Sequence, residues 1–286
     1  MRRRVLTLGL IATLVCLLPQ SSAAIVYWDE DFESPLWTGS NANPWDTGAC
    51  DPTGVSQFPN GCNPLISTDV AHSGTRVLKG IYRGTDIEGS GAWIDRAHPV
   101  GIEVFTRFWY RTHAFTYWAP SETKHFYHSS NATSGLYPIF LTGNPFGSRE
   151  LAFWGGNVAE ACPTGGGPYD ACWYYPNAAK IPLADDRWYC LESHVKMNTP
   201  GVADGVLELW VDGVQTLNYQ NRTFRGTQVL GPNNNSSTAK FDFIRIYVQH
   251  GDGLMYYDQF AAGSTRIGCG SAAPAAPTPP ATLSVQ

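Results

Sequence analysis

The run Cys190-Leu191-Glu192-Ser193-His194-Val195-Lys196 sets an acid, an imidazole and an amine at every second residue. Successive strand side chains point to opposite faces. Glu192, His194 and Lys196 therefore share one face, and Tyr189, Leu191, Ser193, Val195 and Met197 form a mostly apolar row on the other. The same alternation in "VFTRFWYRTHAF" lines up Arg107, Trp109 and Arg111 with Phe105 and His113. It sets Glu208 and Trp210 opposite Leu207, Leu209 and Val211, and Arg245 and Tyr247 opposite Ile244, Ile246 and Val248. A further cluster, "KHFYH", is expected to show His125 with Tyr127 on one face and Lys124 with His128 on the other.

These residue types suit an acidic polysaccharide. Arginine forks grip carboxylates with paired hydrogen bonds, and aromatic rings cover the apolar faces of sugars. β-Elimination from a uronate needs a group that offsets the carboxylate charge, a base for the C5 proton, and an acid for the departing glycosidic oxygen. Imidazole is a base near neutral pH, and a phenol can donate a proton or, beside cations, accept one. The expected catalytic set is His194 as base, Arg107 or Arg111 as neutraliser and Tyr247 as acid. Trp109, Glu192, Lys196, Trp210, Arg245, Lys124, His125 and Tyr127 are expected to hold substrate. Alternation does not assign a strand to a sheet, so a solvated outer face is the competing reading of each row.

The elements that must position these groups are short strands. Runs such as "VLKGIY", "GAWIDR", "LYPIFLTG", "ELAFWGG" and "FDFIRIYVQ" recur between Gly, Pro and Asn turn signals, with a tight turn expected at Asp212–Gly213. This pattern predicts an all-β sandwich or jelly roll. Arg2, Arg3 and Arg4, an apolar run over 5–18 and small residues before Ile25 read as an export signal over 1–24. The jelly-roll domain is expected over 25–270, followed by an Ala/Pro-rich disordered tail over 271–286.

Loss of the three leader arginines, with no acid, moves the formal net charge from -5 to -8. A chain this acidic is a poor general binder of nucleic acid, and any polyanion site must be a local basic patch. No segment after the leader is long and apolar enough to span a membrane. The expected location is secreted, extracellular or periplasmic. Six cysteines remain after the leader, and in an exported chain they favour disulfides, with fifteen pairings open. Cys50–Cys62 and Cys162–Cys172 would each close a short loop, leaving Cys190–Cys269 to tie a strand to the C-terminal segment.

The order "YWDEDFES", "VFTRFWYRTHAF", "KHFYH", "RWYCLESHVKMNTPGVADGVLELWVDG" and "FDFIRIYV…YYDQF" resembles concanavalin A-like jelly rolls, in particular secreted polysaccharide lyase-like proteins. The resemblance implies two stacked antiparallel sheets, one of them concave and crossed by a saccharide. Fold is not function, so a non-catalytic carbohydrate-binding jelly roll is the alternative to a lyase. A glycoside hydrolase is third, because the E-x-D-x-x-E run of jelly-roll glucanases is absent, although Glu192 and Glu208 could approach across strands as a carboxyl pair. The chemistry requires no cofactor. "DEDFE" and "YYDQF" resemble the paired end strands that hold a structural calcium in several jelly rolls, with Glu30, Glu33 and Asp258 as the expected oxygen ligands.

Overall fold

A computed structural model describes residues 25–33, 45–46, 65–83, 92–117, 123–130, 136–143, 149–155, 158–160, 172–227, 237–249 and 251–270. Among these residues fifteen strands are formed, beginning with β1 (Val26–Glu30), β2 (Trp45–Asp46), β3 (Leu65–Ser67), β4 (Val77–Arg83), β5 (Ala92–Gly101), β6 (Glu103–Thr116), β7 (Thr123–Ser130) and β8 (Leu136–Gly143). They continue with β9 (Leu151–Gly155), β10 (Cys172–Tyr174), β11 (Tyr189–Lys196), β12 (Gly205–Val211), β13 (Val214–Arg222), β14 (Phe241–Gln249) and β15 (Asp252–Gly263). Among the described residues there is no helix, and so none long and apolar enough to cross a membrane. The expected export signal over 1–24 and tail over 271–286, together with Cys50, Cys62 and Cys162, lie outside the described residues.

The strands form two antiparallel sheets, the all-β jelly roll that the turn-punctuated sequence predicts. Sheet A runs β13-β12-β11-β6-β15-β4-β3 with β1 on β15, and sheet B runs β10-β9-β8-β7-β14-β5-β2. The β12–β13 hairpin closes at Asp212 (φ 50°) and Gly213 (φ 80°). Two successive positive φ angles suit the right-handed twist of a two-residue hairpin, which explains the Asp-Gly pair.

The core is the layer between the sheets. Phe108 of sheet A stacks on Phe260 at 4.8 Å and meets Phe126 of sheet B edge-on at 5.1 Å. Tyr189, Leu191, Val195, Leu207, Leu209 and Val211 are buried with them, so the apolar rows face inward as alternation requires. This fixes the other row of each strand on an outward face. The two outward faces point away from each other, and that separation decides which residues can share one substrate.

Beneath the β7 surface lies His125, fully buried, with Nδ1 3.1 Å from the Met255 sulfur and its ring edge-on to Tyr110. Burial pushes its pKa down to about 3. An unfolded histidine takes a proton near pH 6.5, which the folded chain refuses. Stability is therefore whole above about pH 6.5 and falls by about 1.4 kcal/mol per pH unit as the pH drops toward the folded value. Urea unfolding at pH 7 and pH 5 should show wild type losing more stability than His125→Leu across that interval. Equal losses would contradict neutral burial.

Candidate functional site

The outward face of sheet A holds most of the residues with expected chemistry, and the structure uses them to hold one another. His194 lies between Phe105 and Glu208 in the register of β6, β11 and β12. Its Nδ1 is 2.7 Å from Glu208 Oε2, its Nε2 is 2.8 Å from Glu103 Oε1, and its ring stacks on Phe105 at 3.9 Å. Both ring nitrogens are thus occupied by carboxylates. A base needs a ring nitrogen that faces substrate, so the geometry gives His194 a structural place.

Glu192, one step along the same row, is completely buried. Its Oε1 accepts the backbone N–H groups of Ile267 (2.5 Å) and Gly268 (3.1 Å), and its Oε2 accepts Nε of Arg266 (3.1 Å). Arg266 also covers the Trp210 ring at 4.4 Å. Cys190 is disulfide-bonded to Cys269, as the cysteine spacing suggested, and Cys172 is also disulfide-bonded. Together these contacts lay residues 264–270 across the sheet as a strap. The Glu192/Glu208 pair weighed for hydrolysis has no spare carboxylate: Glu208 also accepts the Gln215 and Gln220 amides through Oε1, each at 3.0 Å.

Arg111 pairs with Asp186 at 2.6 Å, and Arg107 reaches Asp29 at 3.8 Å. Trp109 is covered by the His72 ring at 3.8 Å, and Lys196 stands half-buried at the end of β11. Tyr247 belongs to β14 in sheet B. The expected set of His194, Arg107, Arg111 and Tyr247 is therefore split between opposite sheets and cannot surround one sugar.

Sheet B gathers a different constellation. The pairing of β7 with β8 slips between Lys124 and Phe126. A bulge adds a residue and breaks the two-residue alternation, so His125 turns into the core instead of sharing a face with Tyr127. His128 packs inward too, against Phe126 and Phe241. Tyr127 points the other way, opposite the buried Phe126, and its register partner on β14 is Arg245, opposite the buried Ile244 and Ile246. Lys124 precedes the bulge on β7, half-buried, in register with Gln249.

The line continues sideways. Tyr127 is in register with Phe140 of β8, Phe140 with Trp154 of β9, and Trp154 with Trp173 of β10. On the other side Arg245 pairs with Asp95 of β5. Trp154 and Trp173 alternate with the core residues Phe153, Cys172 and Tyr174, which sets them on the outward side of sheet B with Tyr127 and Arg245; Trp154 and Arg245 are half-buried there, Trp173 is 9% exposed and Tyr127 3%. At about 4.8 Å per strand, the row from Trp173 to Arg245 is about 19 Å long. Arg245 lies over the Phe243 ring at 5.5 Å, and Trp173 stacks with Tyr175 at 6.0 Å. Trp154 and Trp173 are absent from the set expected from the sequence, although a tryptophan alternates with core residues in "ELAFWGG" and "ACWYY".

The expected oxygen ligands divide. Glu30 is taken by Arg96 at 2.6 Å and by the N–H of Phe32, which leaves no reason for a metal there. Glu33 and Asp258 flank one loop. Glu33 Oε1 accepts the N–H groups of Thr75 and Arg76, and Asp258 Oδ2 accepts those of His72 and Ser73. Asp258 is fully buried, no cationic side chain among the described residues is bonded to it, and burial raises its pKa to about 6, with the Glu33 charge adding to the rise. That environment suits a hard cation. Among the described residues no three His, Cys, Asp or Glu side chains gather around a metal position, so any further ligands would be carbonyls or water.

No family model and no curated protein matches the chain. Solved structures do. Cellulose induced protein Cip1 is 19% identical, covers 85% of this chain and 100% of its own, and has a TM-score of 0.53. The endo-β-1,4-glucuronan lyase from the fungus Trichoderma reesei is 14% identical over 84% of this chain and 96% of its own, with a TM-score of 0.52. The PL-14 alginate lyase from Aplysia kurodai is 13% identical over 85% and 100%, with a TM-score of 0.51. The chain has the jelly-roll fold of these proteins.

Proposed function

We propose that the chain is an exported polysaccharide lyase that cleaves a uronate-containing polymer by β-elimination on the outward face of sheet B. The observation that carries the reading is the register pairing of Tyr127 with Arg245 at one end of the Trp154–Trp173 row. The tryptophans would bed successive sugar rings. The Arg245 guanidinium would take the uronate carboxylate in a two-pronged grip. Neutralising that carboxylate makes the adjacent C5 proton easier to remove. Tyr127, on the neighbouring strand and beside the cation, would move the proton, and Tyr247 stands two positions along β14 from Arg245. The same fold in a glucuronan lyase and an alginate lyase supports the reading by analogy.

The test is growth of ultraviolet absorbance from the unsaturated uronate end during incubation with glucuronan, alginate, pectate and glycosaminoglycans. Absorbance growth on at least one polymer supports the lyase. Retention on polymer-coated resin without absorbance growth would replace it with a carbohydrate-binding protein.

Glu33 and Asp258 are proposed as ligands of a structural calcium. A raised carboxyl pKa means that ionisation destabilises the folded chain as pH rises through about 6, and a divalent cation would offset that cost. Calcium should therefore raise Tm at pH 7 relative to a chelator, and Asp258→Asn should abolish the difference. An unchanged wild-type Tm would contradict the site.

A further inference from the structure

On the outward face of sheet A, away from the Tyr127–Arg245 row, two cavities of about 340 Å3 each meet at Trp109 and at Cys269 and Gly270 of the strap. Each lies at the lower end of the range of small-molecule sites, about 300–1,000 Å3. Trp188 and Arg187 wall the first; His72, Arg107 and Gln259 wall the second. The strap is held in place by the Cys190–Cys269 disulfide and by the buried Glu192, so the cavities have a fixed roof.

Unfilled hydrogen-bonding capacity inside the second cavity points to a ligand. Among the described residues Nε of Arg107 is buried without a hydrogen-bond partner, and the buried ring nitrogens of His72 are approached by the Gln259 side chain without a well-formed hydrogen bond. Buried polar groups are normally satisfied by protein or by bound molecules. Among the described residues the Arg107 fork is paired only with the distant Asp29, 3.8 Å away and itself mostly exposed. Burial lowers the His72 pKa, against the opposing pull of the Gln259 side chain and with the positive charge of Arg107 acting in the same direction, so the neutral ring offers one N–H and one lone pair. Its ring lies flat on Trp109 and edge-on to Trp188 at 5.6 Å.

A cation with an unfilled donor edge and a neutral donor and acceptor beside it, next to an adjoining cavity walled by Trp188, match a sugar ring that carries an acid group. An inorganic anion would leave the Trp188 wall of the adjoining cavity unused, and a neutral sugar would leave Arg107 without a close counter-charge. We propose that this groove is a second saccharide site that binds a hexuronate unit, on the opposite face of the sandwich from the proposed lyase surface. The assignment rests on the groove alone and stands whether or not sheet B cleaves its polymer. Two such faces would let one chain grip a polymer while presenting its other face to a second strand.

Calorimetry with D-glucuronate, using full-length protein carrying Arg245→Gln to silence the sheet B face, tests the site. Saturable binding is expected, at least tenfold weaker for D-glucose and at least tenfold weaker for glucuronate when Arg107→Gln is added. Absent binding, equal binding of glucose, or indifference to Arg107→Gln would each overturn the proposal. If Arg107→Gln does not fold by circular dichroism, Gln259→Glu, which sets a carboxylate in the same cavity, must produce the same loss; unchanged affinity there overturns it equally.

Discussion

Arg245→Gln should lower kcat/KM for β-elimination by about 10²–10³, the range over which a single preorganised electrostatic group acts on a transition state. The reasoning starts from the substrate. A uronate C5 proton is poorly acidic while the carboxylate beside it holds a full negative charge, and charge builds on that group as the proton leaves. Arg245 is the cation in register with Tyr127, on an outward face bounded by tryptophans. Its worth therefore rises between ground state and transition state, which is the condition for an effect on kcat. Arg245→Lys should recover only part of the rate, because an ammonium gives a point charge without the planar fork. Steady-state absorbance assays of both variants check this. A Gln variant with wild-type kcat/KM would place the neutralising group elsewhere.

The largest effect on stability is expected from Glu192→Ala. Glu192 is fully buried and accepts two backbone N–H groups and one guanidinium from the strap. Truncation leaves the Ile267 and Gly268 donors without their carboxylate. Hydrogen bonds to charged groups are worth about 1.5–3 kcal/mol each, and bonds within one network do not add. A loss of about 3 kcal/mol is expected on that basis. The half-exposed Arg266 can turn to water, so the ion pair itself adds little to the sum. Glu192→Gln keeps an acceptor oxygen and should cost less than half as much. Urea titration reads both as shifts in midpoint at constant slope. A Glu192→Ala midpoint at the wild-type value would show that the strap is held by the disulfide alone.

Much of the architecture is legible along the chain. Apolar alternation marks β4–β9, β11, β12 and β14, and Asp212–Gly213 marks their clearest turn. What alternation cannot supply is the sheet to which a strand belongs. His194 and Tyr247 look like partners in the sequence, yet β11 and β14 present their outward rows on opposite sides of the sandwich. The bulge after Lys124 is equally silent: nothing in "KHFYH" says that His125 leaves the alternation and packs against Met255. The pairing of Tyr127 with Arg245 joins residues far apart in sequence and arises only from register. Conversely, His194 reads as a base and Glu192 as a substrate ligand because ionisable residues at a period of two mark a ligand-facing strand. The same period serves a strand whose outer face is roofed by residues 264–270 of its own chain.

Tyr127→Phe and His194→Gln, assayed side by side for unsaturated uronate product on the polymer that wild type cleaves best, separate the two faces. If sheet B carries the chemistry, Tyr127→Phe loses about 10²–10⁴ in rate, the span contributed by a positioned acid or base, and His194→Gln continues to release product. If His194→Gln abolishes release while Tyr127→Phe leaves it intact, the catalytic surface is sheet A and the assignment made from register is wrong.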